Sequence, residues 1–327
     1  MIIITGATGF IGSNIVADLN ARGRTDLLLV DDLGTQGKWK NIAKRRFLDL
    51  VNYRDFDLML TRLPDKADIV FHMGANSCTT VSDGDEILRF NLHASMFWWN
   101  WCTRTCTPLI YASSAATYGN GNHGFNDDLN LNDLEKLAPI NLYGWSKHQF
   151  DKWAVERASE GNSPPLWAGL KFFNVYGPNE YHKGDMRSLI AKNTELIARG
   201  ETIKLFKSHN AGYADGAQLR DFIYIKDCTA AMLWLMENSK TSGIFNIGTG
   251  KARSFIDLMQ AIGSAVNQKV NIDFIDMPES IRPNYQYFTE SNNEKLNSLG
   301  ELSRAHSLEE GVFDYINSYL RQIDRYR

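Results

Sequence analysis

The stretch Ile2-Ile3-Ile4-Thr5-Gly6-Ala7-Thr8-Gly9-Phe10-Ile11-Gly12 decides the fold of this chain. Three β-branched aliphatic residues read as a buried strand. A glycine-rich turn follows at once and opens a helix. Gly6, Gly9 and Gly12 permit a tight turn and close approach of backbone to a pyrophosphate. The helix N-terminus adds free amides and the positive end of its dipole. The spacing is G-x-x-G-x-x-G rather than G-x-G-x-x-G, so the glycines alone say little. Their position directly after the first strand says more. The next strand, Leu27–Val30, ends on Asp31-Asp32. A carboxylate there hydrogen-bonds a ribose diol, which favours NAD. Lys38, Lys40, Lys44, Arg45 and Arg46 follow closely. A cation among them can neutralise a 2′-phosphate and so favour NADP. Lys38 is the one chosen for that role, and the others read as a solvated helix face.

Working outward, Ile69–Phe71, Leu109–Tyr111 and Leu170–Phe173 are further strand candidates. They are continuous apolar runs, as expected for a parallel sheet buried on both faces. Helical patterns, including Leu88–Arg104 and Leu142–Ala158, separate them. The alternation predicts an α/β fold, a doubly wound parallel (Rossmann) sheet with a smaller α/β substrate domain. The second half is less regular, with helices expected at Leu189–Arg199 and Leu308–Arg321. Phe222–Ile225 and Ile244–Ile247 are expected to return to the first domain. That assigns 1–173 plus 219–248 to the dinucleotide-binding domain and 174–218 plus 249–327 to the substrate domain.

Composition bounds the function. The chain has 327 residues, 43% hydrophobic and 22% charged, with net charge −3. Nothing there argues for nucleic acid or an anionic membrane as partner. No basic region precedes Ile2, and the first apolar run is too short for a signal peptide or a spanning helix, so the protein is expected in the cytoplasm. Cys78, Cys102, Cys106 and Cys228 read as buried reduced thiols, and no metal site is expected. Trp98, Trp99 and Trp101 read as core or subunit contact, and His72 as a packed histidine.

Tyr143 and Lys147 form Tyr-x-x-x-Lys, which puts both side chains on one helix face. A phenol is a poor base at neutral pH. A nearby ammonium and an oxidised nicotinamide both favour phenolate, so Tyr143 can take a proton from a carbinol as hydride leaves its carbon. Ser113-Ser114 follows a central strand, and a hydroxyl there can hydrogen-bond the reacting oxygen. Ser114 is the better candidate, although the sequence leaves open which of the two faces the substrate. Serine, tyrosine and lysine in this order, downstream of the glycine turn, form a specific combination.

On these residues the chain resembles the extended short-chain dehydrogenase/reductases, nucleotide-sugar branch, over nearly its whole length. Phe173-Asn174-Val175-Tyr176-Gly177-Pro178, Arg220–Asp227 and Phe245–Gly250 extend the match. Within that branch it is similar to the ADP-heptose 6-epimerases, through Tyr111–Gly119, Leu142–Lys147, His182–Met186 and Tyr285–Thr289. The resemblance implies an isomerase that inverts C6 of an ADP-linked glycero-manno-heptose through a transient ketone, with tightly held NADP, for lipopolysaccharide inner-core synthesis. It implies a homo-oligomer, a pentamer. Its acid/base pair falls on Tyr143 and Lys183, with Lys147 supporting. Its cofactor contacts fall on Phe10, Ile11, Asp31, Asp32, Lys38, Met73, Gly74, Ala75, Asn76, Ser77 and Asn91, joined by Tyr143, Lys147 and Val175. Its substrate contacts fall on Ser114, Asn174, Val175, Lys183, Asp185, Lys192, Phe206, Lys207, Ser208, His209, Arg220 and Tyr285. Asp185 stands where Ser is usual and Lys192 where His is common. Ser208–Gln218 is longer than the pattern, and Arg54 or Tyr53 stands near the place of a second basic cofactor contact.

Three alternatives compete. A 4,6-dehydratase needs a carboxylic acid in the turn that here reads Ala115-Ala116-Thr117. A UDP-hexose 4-epimerase does not call for a lysine in the loop after Gly177-Pro178. A non-catalytic dinucleotide sensor commonly lacks the tyrosine or the lysine, and this chain keeps both.

Overall fold

The computed structural model describes residues 1–79, 82–279, 281–282, 285–300 and 305–327. The strands among them, in chain order, are β1 Ile2–Thr5, β2 Leu27–Val30, β3 Asp49–Val51, β4 Ile69–His72, β5 Leu109–Ser114, β6 Trp167–Phe172, β7 Asn174–Tyr176, β8 Thr202–Phe206, β9 Leu219–Arg220, β10 Phe222–Tyr224, β11 Gly243–Ile247, β12 Arg253–Ser254 and β13 Asn271–Ile275. Seven of them form one parallel sheet in the order β11-β6-β5-β4-β1-β2-β3. Strand order reverses between β1 and β4, so the crevice for a ligand opens at the C-terminal ends of those strands.

Every residue of β1, β2 and β4 is buried. Successive side chains of a strand point to opposite faces, and the core divides accordingly. Ile2, Ile4, Leu27 and Leu29 join one apolar layer, whereas Ile3, Leu28 and Val30 join the other. Trp98, Trp99 and Trp101 are buried in that second layer, which makes them core of this subunit. They lie on the helix Ala94–Thr105, which continues a π-helical run, Leu88–His93.

Two expectations need correction, the strand end at Ile225 and the burial of Cys78 and Cys106. Phe222–Ile225 does not enter the large sheet. Phe222–Tyr224 pairs in parallel with β7, the continuation of β6 beyond Phe173, and Ile225 already begins the helix Ile225–Asn238. Ile244–Ile247 does join the sheet, at its edge beside β6. Strand β3 is three edge residues, Asp49 and Leu50 half-buried and Val51 buried, too short to carry a pattern. Cys102 and Cys228 are buried, but Cys78 is half-buried. Cys106 is exposed, in the left-handed conformation that ends its helix. Among the described residues no helix is long and apolar enough to cross a membrane.

Candidate active site

The glycine turn leaves β1 with Gly6 at φ +63°. A Cβ on Gly6 would lie 2.7 Å from Gly74 Cα, and one on Gly12 would lie 2.1 Å from Gly6 O. Bare backbone is therefore required where β1, β4 and the first helix converge. The helix Phe10–Ala21 begins at Gly9 with no side-chain cap, so its first amides face the crevice. These features fit a dinucleotide pyrophosphate. His72 is packed, as expected: its Nδ1 lies 2.7 Å from Thr5 Oγ1 and its Nε2 3.0 Å from Ser95 Oγ. Burial pushes its pKa down to about 3.

At the end of β2, Asp31 accepts hydrogen bonds from Thr8 N at 2.8 Å and Thr8 Oγ1 at 2.6 Å. Lys38 Nζ donates to Asp31 at 3.1 Å and to Asp32 at 2.6 Å. Tyr53 OH and Arg54 Nε both donate to the other Asp32 oxygen, each at 3.1 Å. Burial raises the Asp32 pKa, but Lys38 and Arg54 outweigh it and hold the carboxyl below its usual range. Two cations thus meet at Asp32, at the end of β2. Both residues left open by the sequence, Tyr53 and Arg54, are there.

Met73 N donates to Thr5 O at 3.2 Å and Gly74 N to Thr5 Oγ1 at 3.0 Å, which fixes the start of the segment Met73–Ser77. Asn91 holds its middle. The Asn91 side chain accepts from Asn76 N at 2.8 Å and donates to Asn76 O and to Ser146 Oγ, both at 3.0 Å. It is fully buried, so it acts as a strut between this segment and the helix Leu142–Ser159.

That helix carries Tyr143 and Lys147. Asn141 caps it, and Gly144 lets it approach closely, since a Cβ there would lie 2.8 Å from Ala116 O. Lys147 Nζ donates to Ala112 O at 2.7 Å, and burial brings its pKa down to about 8, against the pull of Asp151. Sequence reasoning expects Lys147 to lower the Tyr143 pKa. Here burial raises that pKa, a hydrogen bond with Ser114 lowers it, and the charge of Asp151 adds to the rise. The Lys147 ammonium is turned to the Ala112 carbonyl. The serine question is resolved by strand alternation. Ser113 is buried and donates to Asp151 at 2.7 Å, whereas Ser114 faces Tyr143 and caps the turn at Ala116.

Lys183 lies on the segment after Gly177-Pro178, with its Nζ 5.4 Å from the centre of the Phe10 ring. Burial lowers its pKa and Glu180 opposes that. Its neighbour His182 sits 3.2 Å from Asn41 Nδ2, its pKa taken by burial down to about 4. Lys183 therefore lies beside the first residue of the helix that follows β1, and Tyr143 beside Ser114, the last residue of β5. In the sheet β4 lies between β1 and β5.

Arg220 is 7% exposed and pairs with no carboxylate among the described residues. It donates to Leu219 O at 2.9 Å and to Gln286 O, and its guanidinium lies 5.2 Å from the Tyr285 ring centre. A salt bridge to Asp221 is ruled out. Asp221 accepts instead from Thr249 N, Thr249 Oγ1, Gly250 N, Ser291 N and Ser291 Oγ. Phe206 ends β8, Lys207 pairs with Asp276 at 3.4 Å, and Ser208 N donates to Asp215. His209 N donates to the hydroxyl of Tyr287, whose ring packs edge-on to Tyr285. The Phe206–His209 strip and Arg220 thus share one wall. Asn174 and Val175 form the start of β7, Asn174 exposed and Val175 half-buried. Asp185 is exposed and uses its carbonyl to accept from Lys192.

A family model described as the NAD dependent epimerase/dehydratase family matches residues 2–248. The chain is 46% identical over 335 residues to the ADP-L-glycero-D-manno-heptose-6-epimerase of Fusobacterium nucleatum subsp. nucleatum, covering 100% of both. It is 47% identical over 326 residues to the protein of the same name from Nitratidesulfovibrio vulgaris, covering 99% of both. A crystal structure of Helicobacter pylori ADP-L-glycero-D-manno-heptose-6-epimerase matches with a TM-score of 0.79 at 27% identity, over 97% of this chain and 95% of that one.

Proposed function

The chain belongs to the NAD dependent epimerase/dehydratase family, and from that premise we propose that it inverts C6 of an ADP-linked glycero-manno-heptose. What supports this reading is that Tyr143 meets Ser114 at the end of β5 and Lys183 lies beside Phe10, which opens the helix after β1, with β4 between those two strands. Inversion needs hydride to reach both faces of a ketone while the sugar end turns, so its oxygen points in two directions. One donor on each side serves both orientations. Tyr143, aided by the Ser114 hydroxyl, holds the proton at one position of the C6 oxygen, and Lys183 holds it at the other. Lys147 fixes the Tyr143 wall through Ala112 O. Arg220, with no carboxylate partner among the described residues, is suited to the diphosphate by paired hydrogen bonds.

The cofactor of this reading is NADP, held by the glycine turn, Asp31, Asp32, Lys38 and the Met73–Ser77 segment. Bound there, it supplies hydride acceptance and return. The convergence of Lys38 and Arg54 on Asp32 supports a 2′-phosphate at that end. By resemblance the subunits form a cytoplasmic pentamer, which sedimentation velocity tests, and the product serves the lipopolysaccharide inner core.

The test is epimerisation followed by proton NMR at C6. Lys183→Met and Tyr143→Phe should each keep cofactor and lose turnover by more than about a hundredfold, the low end of general acid–base effects. Near-normal epimerisation by folded Lys183→Met overturns the two-donor reading.

A further inference from the structure

Lys183 sits on a segment with little regular structure of its own. Its one helical stretch, Tyr181–Met186, is a 3-10 turn broken at Gly184 (φ 54°, ψ −123°). A proton-transfer group on such a segment needs outside anchoring, because displacement by about 1 Å can cost a hundredfold in rate.

Glu180 provides that anchor. The residue is 1% exposed. Its Oε2 accepts from Ser188 N at 2.6 Å. Its Oε1 accepts from Ser188 Oγ at 2.6 Å and Tyr315 OH at 3.0 Å, with Gly177 N at 3.5 Å. Gly177 opens the segment. Ser188 closes it and caps the helix Leu189–Ala198. Tyr315 arrives from the helix Leu308–Tyr315. One carboxylate therefore ties both ends of the segment to a third element. Its backbone oxygen also accepts from Lys183 N at 3.0 Å. No cation lies within ion-pair distance of the carboxylate among the described residues.

Beyond His182, the neighbour of Lys183, stand Lys38 and Asp31. The first helix offers the Phe10 ring. His182, with its pKa near 4, carries no charge at neutral pH. The charge that acts on the amine is that of Glu180. Around Glu180 itself stand Ser188, Tyr315, Tyr181 and Lys183.

We propose that Glu180 is a positioning residue for Lys183, fastening both ends of the 177–188 segment. The catalytic consequence rests on the two-donor reading given above. Glu180→Gln separates charge from fastening. Its amide oxygen can still accept from Ser188 N, and the hydroxyls of Ser188 and Tyr315 can turn to accept from its nitrogen. Ser188→Ala/Tyr315→Phe does the reverse and keeps the charge.

The amine is read without turnover, by competitive acetylation of the holoprotein across pH with peptide mass spectrometry at Lys183. In Glu180→Gln the Lys183 midpoint should fall by about one pH unit, as expected for loss of a nearby opposite charge. One limb of the kcat–pH profile should move the same way, and KM should stay within about twofold while kcat falls about tenfold. Ser188→Ala/Tyr315→Phe should lower kcat with the midpoint unmoved. Unchanged kcat in the double variant overturns the fastening, and an unmoved midpoint and profile in folded Glu180→Gln overturns the effect of its charge on the amine. Full epimerisation by Lys183→Met is a separate result, which overturns the reading beneath the proposal rather than the effect of Glu180 on the amine.

Discussion

Asp151, one turn beyond Lys147 on the same helix, meets Lys171 of β6 in a 2.9 Å ion pair with no solvent access to either side chain. The Asp151 carboxylate also accepts from Ser113 Oγ and Tyr111 OH, and Lys171 donates to Thr117 Oγ1. The pair ties β5, the turn after it, β6 and the Tyr143 helix into one unit. Removing one partner strands a buried charge, so Lys171→Met should cost about 3–5 kcal/mol. Asp151→Asn/Lys171→Met should regain most of that in urea unfolding at neutral pH. A loss below about 1 kcal/mol in the single variant, the range of an exposed pair, would contradict this account.

The cations at Asp32 should set cofactor preference. With Lys38→Ala/Arg54→Ala, Asp31 and Asp32 are left to repel a 2′-phosphate. Nucleotide released from the purified wild type should be largely NADP, and from the double variant NAD. Each charged contact is worth about 1.5–3 kcal/mol, or roughly ten- to hundredfold in preference. NAD alone in the wild type, with activity unaltered in Lys38→Ala, refutes the NADP assignment.

Arg220→Ala should raise KM for the nucleotide sugar by about ten- to hundredfold, the worth of a charged hydrogen-bonding group. Bound cofactor should be unaffected. Arg220→Lys should recover little, since a point charge cannot reproduce the planar fork. Calorimetry on the holoprotein decides the matter, and loss of cofactor with unchanged sugar-nucleotide affinity is the adverse outcome.

Acid should destabilise the fold well before its carboxylates titrate. His72 and His148 are buried, with pKa values lowered by burial to about 3 and about 4 from an ordinary 6.5. Between those values the unfolded chain binds more protons than the native one, so stability is full above pH 6.5 and falls as pH drops toward 4. At pH 5 each histidine should withdraw about 2 kcal/mol. Replacing His148, whose Nδ1 has no hydrogen-bond partner among the described residues, by Leu should flatten the decline of Tm between pH 6.5 and 5. A slope equal to that of the wild type counts against this account.

Much of this was legible in the residues. Apolar runs gave five strands of the large sheet and the one at its edge beside β6, because strands covered on both faces leave no polar alternation to confuse the reading. The glycine turn, Tyr143 and Lys147 were readable because their spacing carries the chemistry. Ser113 and Ser114 could not be told apart, since which way each points depends on register. Lys171 did leave a signal that went unused. A lysine inside the run Leu170–Phe173 must find a buried partner, and Asp151 is that partner. Glu180 left none, because a lone acid in a loop looks solvated until the distant Tyr315 arrives beside it.

The contact of Gly6 with Gly74 has a practical consequence for anyone redesigning this protein. The seat beneath the dinucleotide is built from main chain belonging to two strands, and side-chain libraries cannot reshape it. Position 6 admits neither a methyl group nor the backbone angle of most L-residues, and compensation at position 74 cannot relieve the second constraint. Efforts to switch coenzyme should hold this pair constant and spend their diversity at 31, 32, 38 and 54, where charge rather than shape makes the choice.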